Sequence, residues 1–442
     1  MNLSRGDVSL NRRPSNSQAR VASMTLRLVV MFALACVILS FAARTARAQS
    51  YSVLYTFCSQ PNCTDGAVPN PSLIVDNEGN VFGTTETGGD NNFSEGTAFE
   101  ITPSGVEKLL YSFDSLSTGV LPYGGLIRDA GGNFYGVTAG GGDYADKSLC
   151  RGSGCGTVYK LTPTGAETVL FAFVDFKRPQ NYEGTRPFGP LLRDANGNLF
   201  GTVGGFGRKT AGAVFELTAG GSESVLHWFG SYKGDGKFPN SGLVMDGQGN
   251  LYGTTNEAGH YSGGTVFEIN AAGVESILYS FGKRKTLANG TVPNAGLVLG
   301  ANGNLYGTTV YGGSSTFCSA GCGTVFELTP NGIEKALYSF NGTPDGAEPA
   351  GSLIMDAQGN FYGTTQYGGV YSEGTVFKLT QAGVETVLYS FSGGADGGNP
   401  VDGLTMDAQG NLYGTTIRGG NISECPASGF QGGCGVVFKV TP

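Results

Sequence analysis

Residues 351–391 read GSLIMDAQGNFYGTTQYGGVYSEGTVFKLTQAGVETVLYSF. Four short runs stand out: Gly351 to Met355 (GSLIM), Asn360 to Thr365 (NFYGTT), Gly374 to Thr380 (GTVFKLT) and Thr386 to Phe391 (TVLYSF). Val, Leu, Phe, Tyr and Thr dominate them and turn residues separate them, so the spacing predicts four strands, a to d. Asp356-Ala-Gln-Gly359 makes a tight turn between a and b, because Asp bonds the turn backbone and Gly accepts a positive φ. Thr380-Gln-Ala-Gly383 is the matching turn between c and d.

The same phrase recurs seven times, centred on Asn80, Asn133, Asn198, Asn250, Asn304, Asn360 and Asn411, at separations of 53, 65, 52, 54, 56 and 51 residues. A period near 50 belongs to propeller blades rather than to ankyrin or leucine-rich repeats. The chain's ends carry the argument further. The last repeat stops at Gly435 to Thr441 (GVVFKVT), a c strand, and lacks its d strand. Tyr51 to Phe57 (YSVLYTF) matches the d strands and has no blade of its own. Pairing the two completes the seventh blade and removes exposed sheet edges. The expected fold is all-β: one seven-bladed β-propeller of four-stranded antiparallel blades over residues 49–442.

The phrase GNLYGTTxxGG…GTVFELTPxGxExxLYSF resembles the Gloeo/Verruco (GloVer) tandem repeat of secreted bacterial proteins, over nearly all of Tyr51 to Pro442. The resemblance implies an extracellular or surface location and no established enzymatic activity. Family members often carry a C-terminal sorting segment; this chain departs from that by ending at Pro442 within a blade. Kelch repeats have a similar period, but their Trp-bearing strand is absent here.

Composition agrees with this fold. Among 442 residues there are 75 Gly and only 14% charged residues, which argues against bundles and coiled coils, while 11% aromatic content argues against disorder. Leu28 to Phe41 (LVVMFALACVILSF), between Arg27 and Ala46-Arg47-Ala48, has the form of a secretory signal cleaved after Ala48. Translation from Met24 fits the polar stretch before it. The run is short for a membrane span, so an uncleaved anchor ranks second, and lipoprotein processing at Cys36 ranks lower. Removing residues 1–48 takes seven Arg and one Asp from 27 basic and 35 acidic residues, leaving a net charge of −14. Such a chain repels phosphate backbones and anionic membrane surfaces, so no nucleic-acid partner is expected.

Apart from Cys36, eight Cys fall in four close pairs: Cys58/Cys63, Cys150/Cys155, Cys318/Cys322 and Cys425/Cys434. Local pairs behind a signal read as disulfides in a secreted or periplasmic bacterial protein. Zinc is the weaker reading, because C-x-x-C pairs are absent and the only His are His227 and His260.

Spacing also separates two faces. The proline before each a strand lies 11 residues from the strand-b Asn, and the strand-c Gly lies 11 residues from the strand-d Glu. Length varies only in the b–c interval, from 14 residues (Asn198 to Gly212) to 24 (Asn411 to Gly435), and in the d–a interval, from 15 (Glu334 to Pro349) to 20 (Glu167 to Pro187). An antiparallel meander places both connections on one face, together with every expected disulfide. Variable loops on a rigid scaffold are where binding usually resides.

On that face the d–a loops repeat an acidic phrase: Asp65-Gly66, Glu183-Gly184, Asp235-Gly236, Asp345-Gly346 and Asp396-Gly397, with Asn289 and Thr118 in the remaining two slots. A carboxylate ring can bind a cation or supply an acid/base pair for glycan cleavage. A tight Asp-Gly turn is the stronger reading, because the phrase recurs in almost every repeat and a catalytic pair needs only two. Asp76, Asp129, Asp194, Asp246, Asp356 and Asp407, in Asp-x-x-Gly-Asn turns, lack EF-hand carboxylate density, and Gly300 replaces Asp in the fifth repeat. Tyr144, Phe206, Tyr232, Tyr261, Tyr311, Tyr367 and Tyr371 dot the variable loops, where a flat ring can stack on a sugar or anchor a protein. The strand-b aromatics (Phe82, Tyr135, Phe200, Tyr252, Tyr306, Tyr362 and Tyr413) recur in every repeat and are expected between blades. His227 falls at the outer edge of a blade, and no G-x-S-x-G elbow precedes a helix.

The expectation is an exported, non-enzymatic binding module for a protein or extracellular glycan. Its candidate ligand-binding residues are Asp65, Glu183, Asp235, Asp345, Asp396, Tyr144, Tyr261, Tyr311, Tyr367 and Tyr371. Two other roles stay open: a polysaccharide hydrolase or lyase using two loop carboxylates, and a structural cell-surface component. No cofactor, metal centre or membrane span after signal cleavage is expected, and the chain is expected to be a monomer.

Overall fold

A computed structural model describes residues 49–442, apart from 71, 90–94, 114–115, 143–153, 174–183, 206–210, 283–286, 402, 422–424 and 426–431. Residues 1–48, where the leader is expected, lie outside the described residues. Residues 49–442 form one compact unit.

Seven antiparallel blades follow the strand order d-c-b-a. In blade 6 these are Glu385–Ser390, Thr375–Leu379, Phe361–Thr365 and Ile354–Met355. The expected ring closure is present: Ser50–Thr56 pairs antiparallel with Val436–Thr441, from Ser50 opposite Thr441 to Thr56 opposite Val436. The described residues contain no α-helix, only single 3-10 turns at Pro61–Cys63 and Leu287–Asn289.

Strand a is shorter than the five residues expected, spanning two in every blade. Its leading residues bend inward to the axis, where neighbouring blades meet too closely for a longer ladder. Ser352 Oγ accepts the Gly296 N–H at 2.9 Å, and a Cβ at Gly403 would lie 2.8 Å from the Ser352 carbonyl oxygen. Ser72, Gly124, Gly189, Ser241, Gly296 and Ser352 line an axial cavity of about 50 Å³.

Aromatic pairs join the blades. The last Phe of each d strand meets the central aromatic of the next blade's c strand edge-on. These contacts are Phe57–Phe99, Phe113–Tyr159, Phe173–Phe215, Phe229–Phe267, Phe281–Phe326, Phe340–Phe377 and Phe391–Phe438, with ring centroids 4.9 to 5.2 Å apart. Each such pair contributes about 0.5–1.5 kcal/mol beyond its area burial. Strand-b aromatics add contacts in some seams, as in Phe82–Phe134 and Tyr306–Phe361. The same rings explain the Gly of GTT. A Cβ at Gly363 would sit 2.7 Å from Phe377 Cζ and 3.0 Å from Leu353 Cδ2.

In every blade the c–d pairing shifts register at the Leu of the strand-d phrase, as between Val376 and Phe377 in blade 6. Such a bulge steepens the twist and re-aims the residues that follow.

Candidate functional site

Strands b and c meet at the variable face through paired threonines, as in Thr365 Oγ1···Thr375 Oγ1 at 2.8 Å. The Gly of each Asp-Gly phrase lies against this pair. At Gly346, with φ of 119°, a Cβ would come within 2.2 Å of Thr365 Oγ1. The phrase therefore needs Gly at that point whatever residue precedes it, which accounts for Thr118-Gly119 and Asn289-Gly290.

The acidic residue ahead of that Gly turns inward. Asp65 is 2% exposed and accepts the Tyr55 hydroxyl at 2.8 Å and the Ser59 N–H at 2.8 Å. Asp345 is 5% exposed and accepts the Tyr338 hydroxyl at 2.5 Å and Asn341 Nδ2 at 2.9 Å. Asp396 accepts the Tyr389 hydroxyl at 2.9 Å and the Ser392 N–H at 2.9 Å. Asp235 is 2% exposed and accepts the Ser231 N–H at 2.9 Å. Four of the acidic candidates thus brace the chain between strand d and the next blade. Glu183, Tyr144 and Cys150 lie outside the described residues.

A further carboxylate enters six of the seven slots from the neighbouring blade. The first residue of strand d is Glu in six blades: Glu107, Glu167, Glu223, Glu275, Glu334 and Glu385. Every one has a buried Oε1 without a hydrogen-bond partner. Burial, reinforced by the charge of Asp65, pushes Glu107 up to about 7, and burial then Asp345 does the same for Glu385. Burial alone raises Glu167 to about 7. Glu334 also reaches about 7, where burial outweighs hydrogen bonds from Tyr279 and Asn289. In blade 7 the equivalent position is Tyr51, whose ring stacks on Tyr389 at 3.7 Å. These glutamates were not singled out in the sequence, although their identical spacing from the strand-c Gly was visible there.

The Asp-x-x-Gly-Asn turns close locally. Asp356 accepts the N–H groups of Gln358 and Asn360, at 2.9 and 2.8 Å, and the Tyr362 hydroxyl at 3.0 Å. At Asp129 burial acts upward, but hydrogen bonds from Asn133, Tyr135 and Gly131 together hold the carboxyl down at about 2.

Disulfides join Cys58–Cys63, Cys318–Cys322 and Cys425–Cys434, all in variable-face loops. Cys155 is also disulfide-bonded. Cys58, Cys63 and Cys434 lie close together, but as oxidised sulfurs they are not thiolate ligands. One other group among the described residues converges three ligand atoms: His227, Asp235 and Glu275.

The aromatic candidates divide by exposure. Tyr261 is 48% exposed and Tyr371 60%, whereas Tyr311 and Tyr367 are half-buried and bridge their loops to Thr291 and Ala347. Phe317, at 72%, and Val370, at 62%, are exposed beside them and were missed. The b–c loop of Phe317 has its own length in the fifth repeat, and Val370 aligns with His260 of the fourth, so no recurring apolar residue marks either position. Together with Tyr232, at 48%, these residues lie on loops of blades 3 to 6.

The chain's sequence matches the Gloeobacter/Verrucomicrobia repeat over residues 40–179, 151–318 and 284–442. No curated protein is a significant match. Among solved structures, the extracellular domain assigned to a hybrid two-component system of B. thetaiotaomicron is similar at 9% identity and a TM-score of 0.51. The alignment covers 88% of this chain and 39% of that one, and it reflects fold alone. A gluconolactonase of Xanthomonas campestris aligns at 16% identity, covering 64% of this chain and 78% of that one, with a TM-score of 0.38. Among the described residues, no helix is long and apolar enough to cross a membrane. With its profile matched from residue 40 to the C-terminus and seven blades in place, the chain belongs to the Gloeobacter/Verrucomicrobia repeat family.

Proposed function

We propose that this protein is an exported binding module that engages an extracellular glycan or protein through the loop face of blades 3 to 6. One observation carries the reading: Tyr232, Tyr261, Phe317, Val370 and Tyr371 are held exposed on the disulfide-bearing face. Exposed aromatics on a braced scaffold offer stacking area at low ordering cost, which suits both sugar faces and protein partners. The axial cavity of about 50 Å³ is well below the range of about 300–1,000 Å³ for ligand pockets, which argues against a site on the axis. The inward-turned Asp65, Asp235 and Asp345 support a binding role over hydrolysis, because their carboxylates brace the loops. Disulfides are in keeping with export to an oxidising compartment.

The test is a glycan-array and surface-protein binding screen with the purified protein, repeated with Tyr261→Ser, Phe317→Ser and Tyr371→Ser combined. Binding that falls at least about tenfold, a loss of about 1.4 kcal/mol, with unfolding unchanged supports the reading. A ligand that binds the triple variant as tightly as the wild type refutes it.

A further inference from the structure

The slot between blades 3 and 4 departs from its counterparts by one residue. At Tyr55, Tyr338 and Tyr389 the strand-d phrase places Tyr beside the loop carboxylate, and the hydroxyl proton satisfies that Asp; in blade 2 the position is Phe171. In blade 3 the phrase is VLHWF, and His227 takes the Tyr position. Its Nε2 stands 3.4 Å from Asp235 Oδ2. His227 Nε2, Asp235 Oδ1 and Glu275 Oε1 are all buried, and none has a hydrogen-bond partner. Ligand atoms of the three residues lie within 4.8 Å of one another, and the Asp235 side chain has no exposed surface.

We infer that His227, Asp235 and Glu275 form a binding site for a divalent transition-metal ion, with zinc the best fit. Three unsatisfied polar atoms converging in a buried slot cost several kcal/mol unless something accepts their lone pairs. A neutral imidazole and two carboxylates form a donor set that zinc takes readily. Zinc–ligand bonds of about 2.0–2.1 Å in a tetrahedron place ligand atoms about 3.3 Å apart, within the 4.8 Å that bounds the ligand atoms of the three residues. The outer contacts are also those of a metal site. Tyr232 donates its hydroxyl to Glu275 Oε2 at 2.7 Å, and Ser231 donates its N–H and Oγ–H to Asp235 Oδ2 at 2.9 and 3.2 Å. These bonds fix both carboxylates and leave Asp235 Oδ1 and Glu275 Oε1 for the ion. The buried glutamate oxygen recurs in six of the seven slots; the imidazole and the second orphaned carboxylate oxygen do not. Because His227 and Asp235 belong to blade 3 and its exit loop, and Glu275 to blade 4, a bound ion staples two blades together.

The test uses untagged protein stripped with EDTA, dialysed against zinc and assayed for bound metal, alongside its thermal unfolding midpoint with and without the ion. Wild type is expected to retain about one zinc per chain and to unfold at a higher temperature with it, since an ion that binds only the folded state raises stability by mass action. His227→Tyr restores the slot found at Tyr338 and Tyr389, so it is expected to fold, retain no zinc and lose the zinc-dependent rise. His260→Ala removes the chain's other His and is expected to leave zinc retention unchanged. Failure of wild type to retain zinc overturns the proposal. So does retention by His227→Tyr, or loss in His260→Ala.

Discussion

Ring closure through the N-terminal strand can be tested at one side chain, Phe57. It is 0% exposed, meets Phe99 of blade 1 at 5.1 Å and stacks edge-on with Tyr55 at 5.2 Å. Phe57→Ala removes this contact but leaves the backbone ladder to Val436–Thr441 intact. A fully buried Phe truncated to Ala costs about 3–5 kcal/mol, a large part of the about 5–15 kcal/mol that holds a typical protein folded. Phe340→Ala, in the same slot between blades 5 and 6, is the internal standard, since Phe340 is also 0% exposed and lies 5.1 Å from Phe377. Urea unfolding followed by far-UV circular dichroism, and by the fluorescence of the single Trp228 in blade 3, reads both variants. If the ring is closed and cooperative, the two substitutions cost similar amounts and both probes shift together. Phe57→Ala within about 0.5 kcal/mol of wild type, with Phe340→Ala costing several, would refute closure.

Two further predictions concern the repeat itself. Gly363→Ala is expected to cost about 1–3 kcal/mol by overpacking against Phe377, whereas Gly247→Ala, with nothing within 4 Å of its Cβ, is expected to be neutral; equal urea midpoints would count against the packing argument. Glu107, Glu167, Glu334 and Glu385 are raised from 4.5 to about 7, chiefly by burial. The folded state therefore holds more protons than the unfolded chain across this window, and stability falls as pH rises through it. The effect is tempered by solvent screening, because these side chains remain partly exposed. Thermal unfolding is expected at a higher temperature at pH 5 than at pH 8, with Glu385→Gln reducing the difference, and the opposite order contradicts the assignment.

The fold was legible because its information is local and repeated. GNLYGTT and LYSF each encode a strand, and the unmatched YSVLYTF and GVVFKVT at the two ends encode their own pairing. Strand a was overestimated because crowding at the axis is a property of the closed ring and cannot be read in any one blade. The slots were less legible for the same reason. Asp65 reads as a turn residue beside Gly66, but its partners are Tyr55 across the loop and, electrostatically, Glu107 from the next blade. His227 was visible as a substitution in a repeated phrase. Its significance depends on Glu275, 48 residues later, which only blade packing brings near. Phe317 carried no signal because its b–c loop differs in length and sequence from those of the other repeats.

The central claim is that the loop face of blades 3 to 6 is where this protein meets its ligand. Hydrogen exchange on the protein, free and saturated with the best hit from the binding screen, tests it most directly. Protection is expected in the b–c and d–a loops around Tyr232, Tyr261, Phe317 and Tyr371. Protection concentrated in the c–d turns around Val106, Val274, Ile333 and Val384, on the opposite face, would contradict it.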